Sequence, residues 1–221
     1  FAFLPITFRI FLASFSVIIF VLMVGGESSV IRATLMAFVS LLATLVGREY
    51  IAKQALIISL LLIIMYEPQS LLYDVSLHLS FLATAGIVYL SSPIELIIKK
   101  YTRKNLSKNL LALVVTSASA YLATLPYVGY TFGTVSVYAL IANVLVLPLV
   151  PIAMLLSFLV VVFSYITEIF AMTFGFLDSV VVNCMIWVAY AVKSLPLSSL
   201  TIQISFLEML VAYVVIVATI V

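Results

Sequence analysis

The sequence predicts an all-α fold, a polytopic transmembrane helix bundle of about seven to nine membrane segments, some of them short, broken or re-entrant. Composition is the first reason. Of 221 residues 66% are hydrophobic and 8% charged, with a mean hydropathy of +1.39, which leaves too few solvated side chains to cover a water-facing surface. Pattern is the second: the apolar runs are continuous rather than alternating, and in lipid a helix satisfies its own backbone. Spacing is the third, because charges, Gly and Pro interrupt the chain at close to the roughly 20 residues needed to cross a hydrocarbon core of about 30 Å. The same composition excludes a soluble globular domain and a disordered chain.

Nine segments are expected. The first, near residues 10–24, follows Arg9 and ends at Gly25 and Gly26, and the second, near 30–46, lies between Arg32 and Arg48. The third, near 51–66, carries Lys53 at its start and stops before Glu67 and Pro68. Asp74 precedes the fourth, near 75–90, and Pro93 follows it; the fifth, near 106–125, leads to Pro126. Residues 109–167 hold no charge, but Pro126, Gly129, Gly133, Pro148 and Pro151 interrupt them. A broken or re-entrant region is therefore expected around 126–151, with segments near 137–147 and 152–166. The last two lie near 170–192 and 204–221. With no long Gly/Ser linker, residues 1–221 read as a single helical membrane domain, and the start at Phe1 within apolar sequence reads as an excerpt of a longer chain.

Five of the ten basic residues are Lys99, Lys100, Arg103, Lys104 and Lys108. Short loops rich in Lys and Arg favour the cytoplasmic side, so the loop 93–108 is expected there. Alternation then places Arg9, Arg48, Lys53 and Lys193 on that side, Glu27, Glu67 and Asp74 opposite, and the C-terminal end outside.

Polar residues at four-residue spacing share a helix face. Arg32, Met36, Ser40 and Thr44 form one such stripe, which either lines an aqueous path or begins with an interfacial anchor. Ser76, Ser80 and Thr84 form a second. Asp74 and His78 lie roughly opposite it. An ionisable pair inside a membrane is a functional candidate, and the favoured reading is structural, with Asp74 capping the helix and His78 one turn below as a satisfied partner. Thr116, Ala120 and Thr124 form a small-residue ridge suited to close helix packing. Tyr127, Tyr130, Phe132 and Tyr138 read as an interfacial belt or as a stacking surface for bases. Asn143, in an apolar run, is either hydrogen-bond glue within the bundle or a pore-lining group. Helix ends account for Glu168 and Asp178, whereas Glu208 is harder to explain by capping. Hydrolase and nucleotide-binding motifs are missing. One cysteine, Cys184, and one histidine, His78, supply no zinc cluster, so no metal, cofactor or enzymatic activity is expected.

Three blocks, in order, resemble the competence domain of the ComEC family. They are Ser29-Val30-Ile31-Arg32-Ala33 with Met36 and Gly47-Arg48; Leu79-Ser80-Phe81-Leu82-Ala83-Thr84-Ala85-Gly86-Ile87; and Leu122-Ala123-Thr124-Leu125-Pro126 with Phe132-Gly133-Thr134-Val135-Ser136, Asn143 and Pro148. They cover about residues 25–150. The family usually has Gly-Phe-Gln before its Leu-Ser-Phe, where this chain reads Ser76-Leu77-His78.

The resemblance implies a channel in the bacterial cytoplasmic membrane that imports single-stranded DNA during natural transformation. It implies further partners: OB-like and metallo-β-lactamase-like domains of the parent chain, and a cytoplasmic motor or strand-binding proteins. On that reading Arg32, Ser40, Ser80, Thr84, Thr124 and Asn143 line a polar path. Lys99, Lys100, Arg103 and Lys104 contact phosphates at the inner mouth, although topological retention explains the basic loop without DNA. A small-solute or lipid transporter, with the same polar residues around a closed pocket, is the alternative of a different class. A membrane-embedded enzyme would need Asp74, His78 or Glu208 beside a nucleophile.

Overall fold

The computed structural model describes residues 6–25, 28–46, 51–101, 107–196 and 198–218. Among them are ten helices and two three-residue strands, so the all-α expectation holds. Three helices are long and apolar enough to cross a membrane, a bent pair forms a fourth candidate span, and four shorter apolar helices accompany them. Most large apolar side chains face outward, as with Leu22, Met65 and Trp187, which suits a lipid environment and would be costly in water. The chain falls into two units, residues 1–91 and 92–221.

The first unit contains α1 (Ile6–Val24), α2 (Ser28–Leu45), α3 (Ala52–Tyr66), α4 (Ser70–Tyr73) and most of α5 (Val75–Tyr101). Helices α1 and α2 pack together, as do α2 and α3. On α3 the buried residues Ala55, Leu56, Ser59 and Ile63 fall on one face. Ser59 is fully buried and donates its hydroxyl to the Leu56 carbonyl at 2.9 Å, so it enters the packed face without an orphan polar group. The short α4 makes a corner after Glu67 and Pro68. Helix α5 does not stop at Leu90 as expected but runs through Pro93 to Tyr101. Proline there removes a single amide from the ladder, which a membrane helix tolerates.

The second unit contains α6 (Lys108–Phe132), β1 (Thr134–Ser136), α7 (Ala139–Val146), α8 (Val150–Ser164), α9 (Glu168–Lys193), β2 (Ser199–Thr201) and α10 (Phe206–Ala218). Ser107 caps α6, accepting from the Leu110 amide at 3.4 Å, and Gly133 ends it in the left-handed conformation at φ 64°. Pro126 is buried inside α6 rather than breaking it, so the irregular region begins at Gly133. It is centred on the turn between α7 and α8, which meet at 47°. The expected ridge of Thr116, Ala120 and Thr124 is displaced by one position. Val115, Ser117, Ser119, Ala123, Pro126 and Gly129 are the buried residues, and Thr116 is exposed. One residue is about 100° of rotation, and the buried choice carries Ser119, Ala123 and Gly129, whose small side chains admit a neighbour.

Strand pairing changes the expected topology. Thr134 pairs with Thr201 and Ser136 with Ser199, antiparallel, and the Tyr138 hydroxyl donates to the Pro196 carbonyl at 3.3 Å. The C-terminal ends of α6 and α9 therefore meet at one end of the unit. Helix α10 runs back along α6: the rings of Tyr130 and Phe206 are 6.0 Å apart at one level, and the Tyr213 hydroxyl donates to the Ala123 carbonyl at 3.1 Å nearly two turns away. Lys193 thus lies at the end opposite Lys108, and the last helix returns toward Lys108. Both placements differ from the expected alternation, which counted α7 and α8 as two crossings, whereas the bent pair is at most one candidate span.

Candidate functional site

Within the first unit the two polar stripes meet. Arg32, in the second turn of α2, donates from Nη1 to the Thr84 hydroxyl of α5. Thr84 in turn donates to the Ser80 carbonyl at 2.9 Å, so its oxygen is free to accept. The guanidinium carbon lies 5.6 Å from the centroid of the Phe81 ring, within cation–π range. Arg32 Nε is buried and has no hydrogen-bond partner. Guanidinium offers five donors and no acceptor, and among the described residues the one ion pair is Lys99 with Glu95. Arg32 is thus a cation held in an apolar unit by a neutral hydroxyl and a ring, and among the described residues no carboxylate pairs with it.

Ser40 is half-buried on the Arg32 face of α2, where its carbonyl accepts from the Thr44 hydroxyl at 2.9 Å. On α5, Ser80 and Thr84 are half-buried, Ser76 is exposed and Gly86 is buried.

Asp74 and His78 take the structural role favoured for them. Asp74 Oδ1 accepts from the Leu77 amide at 3.1 Å and so caps α5. His78 Nε2 lies 2.7 Å from the Leu71 carbonyl, so that nitrogen carries the proton. A glutamine amide, the residue type of the resembled family there, is also a donor.

In the second unit Thr124 is half-buried and returns its hydroxyl to its own helix, to Ala120 O at 2.9 Å. Asn143 is exposed on α7. Tyr121 donates to the Ser136 carbonyl at 2.8 Å, which ties α6 to β1, and Tyr130 and Phe132 are exposed at that end. Lys99 and Lys100 occupy the last turn of α5, where cations suit the helix dipole; Lys99 Nζ is 2.5 Å from Glu95 Oε1. Arg103 and Lys104 lie outside the described residues, as do Glu27, Gly47 and Arg48.

Two polar features escaped the sequence reading. Asp178 is in the middle of α9, not at a helix end; its Oδ2 accepts from the Ser157 hydroxyl of α8 at 2.7 Å, and its Oδ1 is buried without a partner. Glu208 does cap: the Ser205 amide donates to Glu208 Oε2 at 2.7 Å, and the Glu208 amide donates to Ser205 Oγ at 3.3 Å. That is a reciprocal capping box, and its signal, Ser-x-x-Glu before an apolar run, was present at Ser205-Phe206-Leu207-Glu208. No signal in one sequence pairs Ser157 with Asp178.

Among the described residues no three His, Cys, Asp or Glu side chains are grouped to hold a metal ion. No curated protein and no solved structure matches the chain. The family model described as Competence protein matches residues 1–221, including every polar position named above. With its apolar helices and the Arg32, Ser80 and Thr84 positions of the resembled motifs brought together, the chain is a membrane protein that belongs to the competence protein family.

Proposed function

We propose that this chain is the membrane channel domain through which single-stranded DNA enters the cytoplasm during natural transformation, acting as a conduit and not as an enzyme. The observation that supports this reading is Arg32. A charge within an apolar bundle is costly and normally faces a polar interior or a water-filled cavity, and a guanidinium that no carboxylate among the described residues pairs with suits a ligand that supplies its own negative charge. A phosphodiester strand does so at every nucleotide. Arg also pairs with phosphate more specifically than Lys, through its planar fork.

The remaining roles follow from the same reading. Ser40, Ser80, Thr84, Thr124 and Asn143 offer neutral polar groups along the path, and Lys99, Lys100, Arg103 and Lys104 receive phosphates on the cytoplasmic side. The bilayer is the cytoplasmic membrane. OB-like and nuclease-like domains of a longer chain handle the strand outside, and a motor or strand-binding proteins draw it in. A solute or lipid transporter would instead place the polar residues around a closed pocket; the cavity in the first unit is lined by none of Arg32, Ser40, Ser80 or Thr84.

The test is entry of labelled DNA into cells carrying the full-length parent, its deletion, Arg32→Gln or Asn143→Leu, each at equal membrane abundance. The expected result is loss of internalised DNA with surface binding retained in the deletion and in Arg32→Gln, and a smaller loss in Asn143→Leu. Unchanged uptake in the deletion overturns the reading.

A further inference from the structure

A cavity of about 390 Å³ opens in the first unit, away from the Arg32 cluster. Ile31 and Leu35 of α2 and Leu62 and Ile63 of α3 wall it, and Tyr66, Glu67 and Ser70 sit where α3 gives way to α4. The volume falls in the range of about 300–1,000 Å³ typical of ligand sites. Its lining from α2 and the body of α3 is apolar, and its polar lining is gathered at the α3–α4 corner, which forms one edge. The Ser70 hydroxyl is already committed to the Glu67 carbonyl at 2.6 Å, so the Glu67 carboxylate is the main group left to choose a ligand. Glu67 is exposed, and among the described residues no Lys or Arg pairs with it.

Tyr66 and Tyr73, 87% and 81% exposed, flank this corner. Exposed tyrosines at the ends of membrane helices settle at headgroup level, which puts the rim at the interface and the apolar walls at acyl depth. A carboxylate on that rim rejects phosphate strands and fatty-acid anions and attracts a cation. The surrounding bilayer supplies amphiphiles with their chains at this depth.

We infer that this cavity holds one acyl chain of a membrane lipid whose headgroup carries a protonated amine, which is held by Glu67. The lipid fills the space between the outer-facing ends of α2 and α3 and so braces the helix that carries Arg32. This site is separate from the DNA path and stands whether or not that path conducts.

The test uses the full-length protein in nanodiscs of phosphatidylglycerol, doped with either phosphatidylethanolamine or phosphatidylglycerol carrying a photoactivatable acyl chain. Labelled residues are mapped by mass spectrometry. The expected result is labelling of Leu35, Leu62 and Ile63 at least about fivefold stronger from the ethanolamine lipid, a ratio read directly as relative occupancy. Glu67→Gln, an exposed change that leaves the fold intact, is expected to abolish the preference while some labelling persists. Leu62→Trp, which fills the cavity from its open side, is expected to abolish labelling at Leu35 and Ile63. Equal labelling by the two probes, or labelling that Leu62→Trp does not alter, overturns the proposal.

Discussion

Arg32 and Thr84, 52 positions apart, are joined by a hydrogen bond from the guanidinium to a hydroxyl whose own proton is spent on the Ser80 carbonyl. Helix α5 therefore presents Thr84 as an acceptor only, which is the one form in which a threonine helps to hold a cation.

Replacing Thr84 with Val keeps the shape and removes that acceptor. A half-buried guanidinium then loses a partner, at a cost of about 1–3 kcal/mol. Thr84→Val is expected to lower the denaturant midpoint of the purified full-length protein, and Thr84→Ser to restore most of it. Equal midpoints for Val and Thr would show that the bond contributes nothing to stability.

How much of this was legible in the sequence depended on whether the signal was local. Asp74 as a cap and a break somewhere in 126–151 rest on neighbours within a turn or two; the structure has the cap, and it has the break from Gly133 onward but not at Pro126. Register on a helix is less local. Thr116, Ala120 and Thr124 and the buried Ser119 and Ala123 differ by one residue, and packing of α6 against α7, β1 and α10 decides between them. Topology is less local still. It turns on whether α7 and α8 count once or twice, and the deciding contact, β1 with β2, joins residues more than sixty positions apart. Glu208 is local as well, since the capping box it forms with Ser205 is a four-residue pattern.

Gly129 is held as glycine by Ile204, in the connection between β2 and α10. A Cβ there would clash with Ile204 Cδ1 and sit 3.1 Å from Cγ1. Gly129→Val is expected to cost about 1–3 kcal/mol by overpacking. Ile204→Ala in the same molecule is expected to recover at least about 0.5 kcal/mol of it, since the two sites touch. Additive losses in a double-mutant cycle would mean that the connection before α10 does not meet α6 there.

Ser157 and Asp178 predict an asymmetry. Ser157→Ala leaves both oxygens of the Asp178 carboxylate unpartnered between α8 and α9, which is the expensive case, about 1–3 kcal/mol. Asp178→Leu removes the demand altogether, and the Ser157 hydroxyl can turn to a carbonyl of its own helix. Asp178→Leu is therefore expected to be near neutral in thermal unfolding and to rescue Ser157→Ala when the two are combined. A double variant no more stable than Ser157→Ala alone would refute this.

The pairing of β1 with β2 also predicts which residues share a side of the membrane. Lys108 begins α6 and Lys193 ends α9, and the strands bring the far end of α6 to the near neighbourhood of Lys193. Single cysteines at 108 and 193, in a Cys184→Ser background, should then react with a membrane-impermeant maleimide from opposite sides. A cysteine at 136, in β1, should share its side with 193. Basic residues in loops favour the cytoplasm only statistically, so the lone Lys193 is readily outvoted by the cluster at 99–108. The expected outcome in intact cells is labelling at 136 and 193 and protection at 108 until the membrane is permeabilised. If 108 and 193 instead label together, α7 and α8 each cross the membrane, and the two-stranded sheet cannot form as described.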